Sequence, residues 1–226
     1  MEKFAVIVAG GSGKRMQSIV PKQFLTLNDK PILFYSVNTF LNAFPDIQII
    51  VVLPADQLVY GEQILSKNFP DSTIQLTSGG DTRFHSVQNG LKLVPDDCIV
   101  FVHDAVRCLL SVSLIHRCYE AAITKGNAIP VIIPRDSLRL VTDTGYEILD
   151  RAGVRIVQTP QVFSGKQIKE AFQQPYRMEF TDEASVAETS GITLNLVEGE
   201  ENNLKITYME DMLFAEMMLK SAAINA

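Results

Sequence analysis

Phe4-Ala5-Val6-Ile7-Val8-Ala9-Gly10-Gly11-Ser12-Gly13-Lys14-Arg15-Met16 carries six apolar residues straight into three glycines and two cations. A run that is apolar on both faces predicts a strand covered on both sides. Glycines directly after it let the backbone come close to a ligand and turn its N–H groups toward an anion. The same pattern recurs along the chain. IQIIVVL (47–53), TIQLT (73–77), CIVFVH (98–103) and AIPVII (128–133) read as further strands rich in Val and Ile. Helical patterns lie between them at 31–43, 55–68, 82–93 and 111–123. Pro31 suits a first helical turn. Phe84, Val87 and Leu91 share one face, as do Leu114, Ile115, Cys118 and Ala122. Strand alternating with helix predicts an α/β class, a Rossmann-like, doubly wound and mostly parallel sheet.

The rhythm breaks once. SLRLVTDTGYEILDR (137–151) reads as two short strands around Asp143-Thr144-Gly145. The expectation is a single domain over 1–226 with a projecting β-arm at about 137–157. Apolar surface on such an arm calls for a partner to cover it, so a homodimer is expected. After the arm, Ser164 and Gln167 suggest a capping box, and Thr181 a helix cap with Asp182 and Glu183 in its first turn. ITLNLVEG (192–199) and LKITY (204–208) read as strands, and 209–222 as a final amphipathic helix.

The bulk properties narrow the function. Lys and Arg number 20 against 26 Asp and Glu, and this net charge of -6 argues against broad nucleic-acid binding. A local basic pocket for phosphates stays open. No apolar run approaches the ~20 residues of a membrane span, and the N-terminus lacks a signal-peptide pattern. The expected location is the cytoplasm. Cys98, Cys108 and Cys118 form no C-x-x-C pair, so buried reduced thiols are expected.

Two phosphate-binding motifs can be tested on the first turn. A dinucleotide fingerprint matches Gly11 and Gly13 but meets Met16 at its third position. A P-loop matches Gly13-Lys14 but has Val8 for its first glycine and Arg15 for its hydroxyl. Both fail as written. Free amides together with Lys14, Arg15 and Lys22 still suit a triphosphate at the C-terminal end of the first strand.

More blocks follow in order: Pro21-Lys22-Gln23-Phe24-Leu25, Gly79-Gly80-Asp81-Thr82-Arg83 leading to Ser86, and His103-Asp104-Ala105-Val106-Arg107. Then come Thr159-Pro160-Gln161, Thr181-Asp182-Glu183-Ala184-Ser185 and Asn203-Leu204-Lys205-Ile206-Thr207. With the first turn, this ordered set resembles the sugar-phosphate cytidylyltransferase family over almost the whole chain. The resemblance implies the nucleotidyltransferase fold. It also implies transfer of CMP from CTP to 2-C-methyl-D-erythritol 4-phosphate, with loss of pyrophosphate, in non-mevalonate isoprenoid precursor biosynthesis. Arg15, Lys22 and Lys205 would be catalytic. Ala9, Gly10, Gly11, Gly13, Gly80, Asp81 and Ser86 would bind the nucleotide; Ser86 lies off the apolar stripe of Phe84, Val87 and Leu91, which leaves it free to face a ligand. Asp104, Arg107, Arg151, Thr159, Thr181 and Lys205 would bind the acceptor. Asp104 would also hold Mg²⁺ or another divalent cation. A homodimer with exchanged β-arms would carry Arg151 to the partner's site.

Departures bear on the acceptor. Val106 and Cys108 in HDAVRC differ from the family's usual residues, and Val106 leans toward the ribitol-5-phosphate relatives. The T-D-E-A-S run leans the other way. Ribitol 5-phosphate is therefore the alternative acceptor, and a non-catalytic nucleotide-binding protein is the reading from another class.

Overall fold

The computed structural model describes residues 1–10 and 20–224. In chain order its first strands are β1 (Glu2–Val8), β2 (Thr26–Leu27), β3 (Lys30–Pro31), β4 (Gln48–Leu53), β5 (Ile74–Ser78) and β6 (Cys98–Asp104). There follow β7 (Asn127–Ile132), β8 (Leu138–Thr142), β9 (Gly145–Leu149), β10 (Ile156–Val157), β11 (Gln161–Ser164) and β12 (Leu196–Glu198). The helices are α1 (Ile32–Ala43), α2 (Leu58–Asn68), α3 (Arg83–Leu91), α4 (Val112–Lys125), α5 (Gly165–Ala171), α6 (Glu183–Thr189) and α7 (Met209–Ile224).

The main sheet has the order β10-β7-β11-β6-β1-β4-β5, with β12 added beside β7. Its β6-β1-β4-β5 portion is parallel. Chain order runs one way from β1 through β4 to β5, then jumps to β6 on the other side of β1. The strand order thus reverses between β1 and β6, the place where doubly wound sheets bind ligands beyond the carboxyl ends of their strands. Val8 and Asp104 end these two strands in direct register.

Alternation within the strands builds two cores. Ala5 and Ile7 of β1 face α1, α2 and α4 through Phe40, Leu65 and Leu114. Phe4, Val6 and Val8 face α3, α5 and α6 through Val87, Ile168 and Val186. Both faces of the strand are dry, as the all-apolar run predicts. A third cluster of Leu27, Ile32, Val106, Cys108, Ile206 and Ala215 seats α7 against the region just beyond β6. Gly90 lies where α3 crosses β1 and β4: a Cβ there would stand 2.5 Å from Val6 Cγ1 and 3.0 Å from Val52 Cγ2. All three cysteines are free and buried, and burial pushes the Cys108 and Cys118 thiols up to about 12.

Several expectations need correction. Helix α1 starts at Ile32 because Pro31 is held extended in β3 and serves as its N-cap. The hairpin is β8 against β9 as expected, but the arm stops before 156–157, since β10 pairs antiparallel with β7 in the main sheet. Ser164 accepts a hydrogen bond from the Gln167 amide at 3.3 Å, yet the return bond is missing and Gln167 Oε1 is buried without a partner. Helix α6 is capped by Asp182, not Thr181, in a capping box with Ser185. Only 196–198 of the segment 192–199 joins the sheet. The Asn127 side chain donates to the Thr193 carbonyl (2.9 Å) and accepts from the Asn195 amide (2.8 Å), which takes those backbone groups out of the ladder. Segment 204–208 is not a strand. Its amides at Thr207 and Tyr208 go to the Asp211 carboxylate (2.7 and 2.8 Å) and that of Ile206 to the Val106 carbonyl (3.0 Å). Helix α7 is less clearly amphipathic than expected: Ala215 is buried, while Leu213 and Met217 are 64% and 68% exposed.

Candidate active site

Asp104 is the centre of the site. It closes β6 at the switch point, and its side chain is only 8% exposed. Three cations surround it. Arg83 Nε donates to Oδ1 at 3.1 Å, Lys205 Nζ lies 2.9 Å from Oδ2, and Arg107 Nε lies 3.6 Å from the same oxygen. Burial pushes the Asp104 carboxyl up, but these cations outweigh it and hold the group far below the usual carboxylate range. Burial lowers the Arg107 guanidinium by more than Asp104 raises it.

Each cation reaches Asp104 from a different element. Arg83 sits in the first turn of α3, directly after the cap Thr82. Arg107 follows β6 in the chain, and its Nη1 donates to the Asn203 carbonyl at 2.7 Å. Lys205 comes from the extended segment before α7, which Asn203 anchors by donating to the Thr159 carbonyl at 2.8 Å. Lys22 reaches the same segment from a 3-10 turn at Lys22–Phe24, where its buried Nζ donates to the Ile206 carbonyl at 2.6 Å. Arg107 and Lys205 are therefore brought together at Asp104, while Lys22 binds the segment that carries Lys205.

Other expected residues take different places. Thr159 is buried and spends its hydroxyl locally, accepting from the Asp104 amide at 3.1 Å and pairing with His103 Nδ1 at 3.0 Å. Through that amide it positions Asp104. Ser86 is also buried: its Oγ donates to the Thr82 carbonyl (2.9 Å) and accepts from the Gly80 amide (3.1 Å). It is not free in the sense expected from its place off the apolar stripe. It packs beneath the turn, with a Cβ on Gly10 or Gly79 falling 3.4 or 2.8 Å from its Oγ. Ala9, buried, ties this turn to β4 through its amide and the Val52 carbonyl at 2.9 Å. Asp81 and Thr181 are exposed at the rims of 79–82 and α6. Arg151 is exposed in the 3-10 turn Arg151–Gly153 after β9, where Nη1 donates to the Arg135 carbonyl; it does not join the Asp104 cluster. Gly11, Gly13, Lys14 and Arg15 lie outside the described residues.

The structure adds residues whose role the motifs left unread. Glu183 is fully buried and pairs with both Arg83 nitrogens, Nη1 and Nη2, the latter at 3.1 Å. Gln161 fixes the start of α6 to β11, donating to Asp182 Oδ2 (2.9 Å) and accepting from the Ala184 amide (2.7 Å). Arg83 and Glu183 were both visible inside the ordered blocks, but as a turn residue and a helix-dipole charge. Their contact spans 100 residues, so nothing local announces it.

A metal ion was expected on Asp104. Both its oxygens are already engaged by cations, and no group of three or more His, Cys, Asp or Glu among the described residues could hold a metal. The side chains in this arrangement do not fit a resident metal site.

A family model for 2-C-methyl-D-erythritol 4-phosphate cytidylyltransferase matches residues 4–221. The chain belongs to this family. Among relatives of the methylerythritol-phosphate cytidylyltransferase family, the Bacteroides thetaiotaomicron protein of that name is 41% identical over 219 residues, covering 97% of this chain and 100% of its own. The Phocaeicola vulgatus protein of that name is 42% identical over 219 residues with the same coverage. Solved structures agree. The 4-diphosphocytidyl-2C-methyl-D-erythritol synthase of Anaerococcus prevotii superposes with a TM-score of 0.83 at 28% identity, covering 97% of this chain and 96% of that one. The family's enzyme from Francisella tularensis gives 0.77 at 31% identity, covering 96% and 99%. The α/β fold with a mostly parallel sheet is thus the fold of this cytidylyltransferase family, and the chain is a nucleotidyltransferase.

Proposed function

We propose that this enzyme transfers CMP from CTP to 2-C-methyl-D-erythritol 4-phosphate, releasing pyrophosphate and forming 4-CDP-2-C-methyl-D-erythritol for isoprenoid precursor synthesis. The observation that carries this reading is the cation group gathered at the switch point. Arg83, Arg107 and Lys205 face Asp104 and Glu183, leaving one positive charge in excess, and Lys22 adds another beside them. Such a site suits two phosphorylated substrates that must approach each other against their own charge.

The chemistry is an in-line displacement. An oxygen of the acceptor's phosphate forms a bond to the α-phosphorus of CTP. The bond from that phosphorus to the bridging oxygen breaks, and pyrophosphate leaves with the electron pair. No group on the protein need be covalently modified; positioning and charge stabilisation carry the rate. Lys22 stabilises the charge growing on the α-phosphate, and Arg15 holds the β- and γ-phosphates. Lys205 and Arg107, aligned on Asp104, take the acceptor phosphate, with Thr181 at the rim. Ala9, Gly10, Gly80 and Asp81 border the cytidine, on the floor that Ser86 makes. Mg²⁺ would be held by the phosphates of CTP, where it would neutralise part of their charge. The enzyme works in the cytoplasm, where CTP is held; among the described residues no helix is long and apolar enough to cross a membrane.

A second copy of the chain covers the arm. Val141 and Tyr146 face each other across β8 and β9, with Ile148 beside them on the same face, and they are 81%, 74% and 75% exposed. An apolar face of this kind on a hairpin needs cover, and a dimer would bring Arg151 near a partner's acceptor site.

The test is pyrophosphate release with CTP and Mg²⁺, comparing 2-C-methyl-D-erythritol 4-phosphate with ribitol 5-phosphate. Turnover with the first, lost by roughly 10²–10³-fold in Lys22→Ala, is expected. Turnover with ribitol 5-phosphate alone would move the enzyme to polyol activation and refute the acceptor proposed.

A further inference from the structure

Arg83 joins two carboxylates that arrive from separate parts of the fold. Its Nε holds Asp104 at the end of β6, and its two terminal nitrogens hold Glu183 at the first position of α6. Glu183 is wholly buried, while 24% of the Arg83 side chain is exposed. Burial raises the Glu183 carboxyl, with Arg83 opposing it. A buried pair of this kind is no bargain for stability, because apolar residues of similar volume often serve as well or better. What it does supply is geometry. A planar guanidinium that engages one carboxylate with its terminal fork and another with Nε fixes the relative position of both.

That geometry spans the site. On one side, Arg83 follows Thr82 directly, and Thr82 and Gly80 are bound to Ser86 beneath the nucleotide turn. On another, Asp104 carries Lys205 and Arg107. On the third, Glu183 fixes the start of α6 two residues after Thr181, with Gln161 holding the neighbouring Asp182 and Ala184.

We infer that Arg83 is a positioning residue for the acceptor: through Asp104 and Glu183 it aligns Lys205, Arg107 and the 181–183 segment with the nucleotide turn. The inference rests on the reaction proposed above. It makes Arg83 a determinant of acceptor binding without contact to the acceptor. Asp104 without Arg83 would still hold a charge, but its orientation would be set by Lys205, whose side chain is 40% exposed, and by the longer contact to Arg107.

The experiment is steady-state kinetics with both substrates varied, on the full-length enzyme and two variants. R83Q/E183Q removes both members of the ion pair and leaves no buried charge alone. R83K keeps the charge and loses the fork. Thermal melting confirms folding. Expected for R83Q/E183Q is a rise in KM for 2-C-methyl-D-erythritol 4-phosphate of roughly 10–100-fold, the scale of an ångström-level misplacement. KM for CTP should stay within about twofold, because the nucleotide turn keeps its Ser86 and Thr82 bonds. R83K should fall between, at roughly 3–10-fold on the acceptor alone. A merely structural role predicts something else: kcat falls with the folded fraction and neither KM changes. That pattern, equal rises in both KM values, or an unchanged acceptor KM in either folded variant would overturn the inference. If R83Q/E183Q fails to fold, R83K decides by the same comparison. No turnover by the unsubstituted enzyme would instead remove the reaction on which the inference rests.

Discussion

Replacing Asp104 by Asn should separate the stability of the site from its chemistry. The carboxylate is 8% exposed and touches Arg83 (24% exposed), Arg107 (11%) and Lys205 (40%). Asn keeps the shape but removes the charge and turns one oxygen into a donor facing cations. Breaking a buried pair by removing one partner costs about 3–5 kcal/mol. Here the cost is smaller, because Arg83 keeps Glu183 and Lys205 can turn to solvent, so about 2–4 kcal/mol is expected. For a chain of this size each kcal/mol lowers the melting temperature by about 2–4 °C, so a 3 kcal/mol loss corresponds to roughly 6–12 °C. Lys205→Met is the matched comparison. Lys205 is 40% exposed and Asp104 keeps Arg83 and Arg107 without it, so the loss should be about 1 kcal/mol and melting should fall by less than about 4 °C. Both variants should lose about 10²–10³-fold in kcat/KM, since each disturbs a cation needed against phosphate charge. Melting curves and pyrophosphate release on the same preparations give both readings. A Lys205→Met melting loss as large as that of Asp104→Asn would refute the account, as would an Asp104→Asn protein as stable as the parent.

Three further outcomes are expected. His103 is fully buried, and burial lowers it from an ordinary value of 6.5 to about 3. The unfolded chain therefore binds a proton that the folded chain refuses as pH falls below 6.5. This group's effect on stability is absent above that value and costs about 1.4 kcal/mol per pH unit below it. Asp104, held low in the fold, adds its own loss as pH falls below about 4. Urea midpoints between pH 7 and 4.5 should fall, less steeply in His103→Gln; a flat profile in the parent would count against a neutral buried His103. Gly90→Ala drives a Cβ into Val6 and Val52, both fully buried and β-branched, and should destabilise by about 1–3 kcal/mol without altering either KM selectively. Ile148→Glu, on the exposed face of the arm, should convert a dimer to monomer in sedimentation and raise the acceptor KM while leaving the subunit folded; a parent enzyme that sediments as a monomer would remove the arm-covering proposal.

Much of this could be read along the chain because it depends on neighbours. Strand β1 and its partners announced themselves through apolar runs, since a strand covered on both faces has no polar side to show. The hairpin was legible from Asp143-Thr144-Gly145, although its end was overdrawn: whether 156–157 stays with the arm depends on pairing with β7, some 25 residues away. The false strands at 192–195 and 204–208 fail for one reason. Their composition suits a ladder, but the Asn127 and Asp211 side chains took the backbone groups first.

The site divides in the same way. The resemblance carried by the ordered blocks marked Lys22, Asp104, Arg107 and Lys205; residue chemistry by itself pointed to Lys22, a cation close to a turn that frees amides. Their distances were beyond reach, and so were the demotions. Ser86 and Thr159 look available in sequence yet are buried and spent on Gly80 and Asp104. What the chain's order alone determined is the alternating α/β framework and the types of group at its switch point, since both follow from local periodicity and local chemistry. Only the tertiary structure decided that Asp104 sits within three cations and that Arg83 ties it to Glu183. A guanidinium can choose any carboxylate in sequence, but burial leaves it only those the packed sheet and helices bring within about 3 Å.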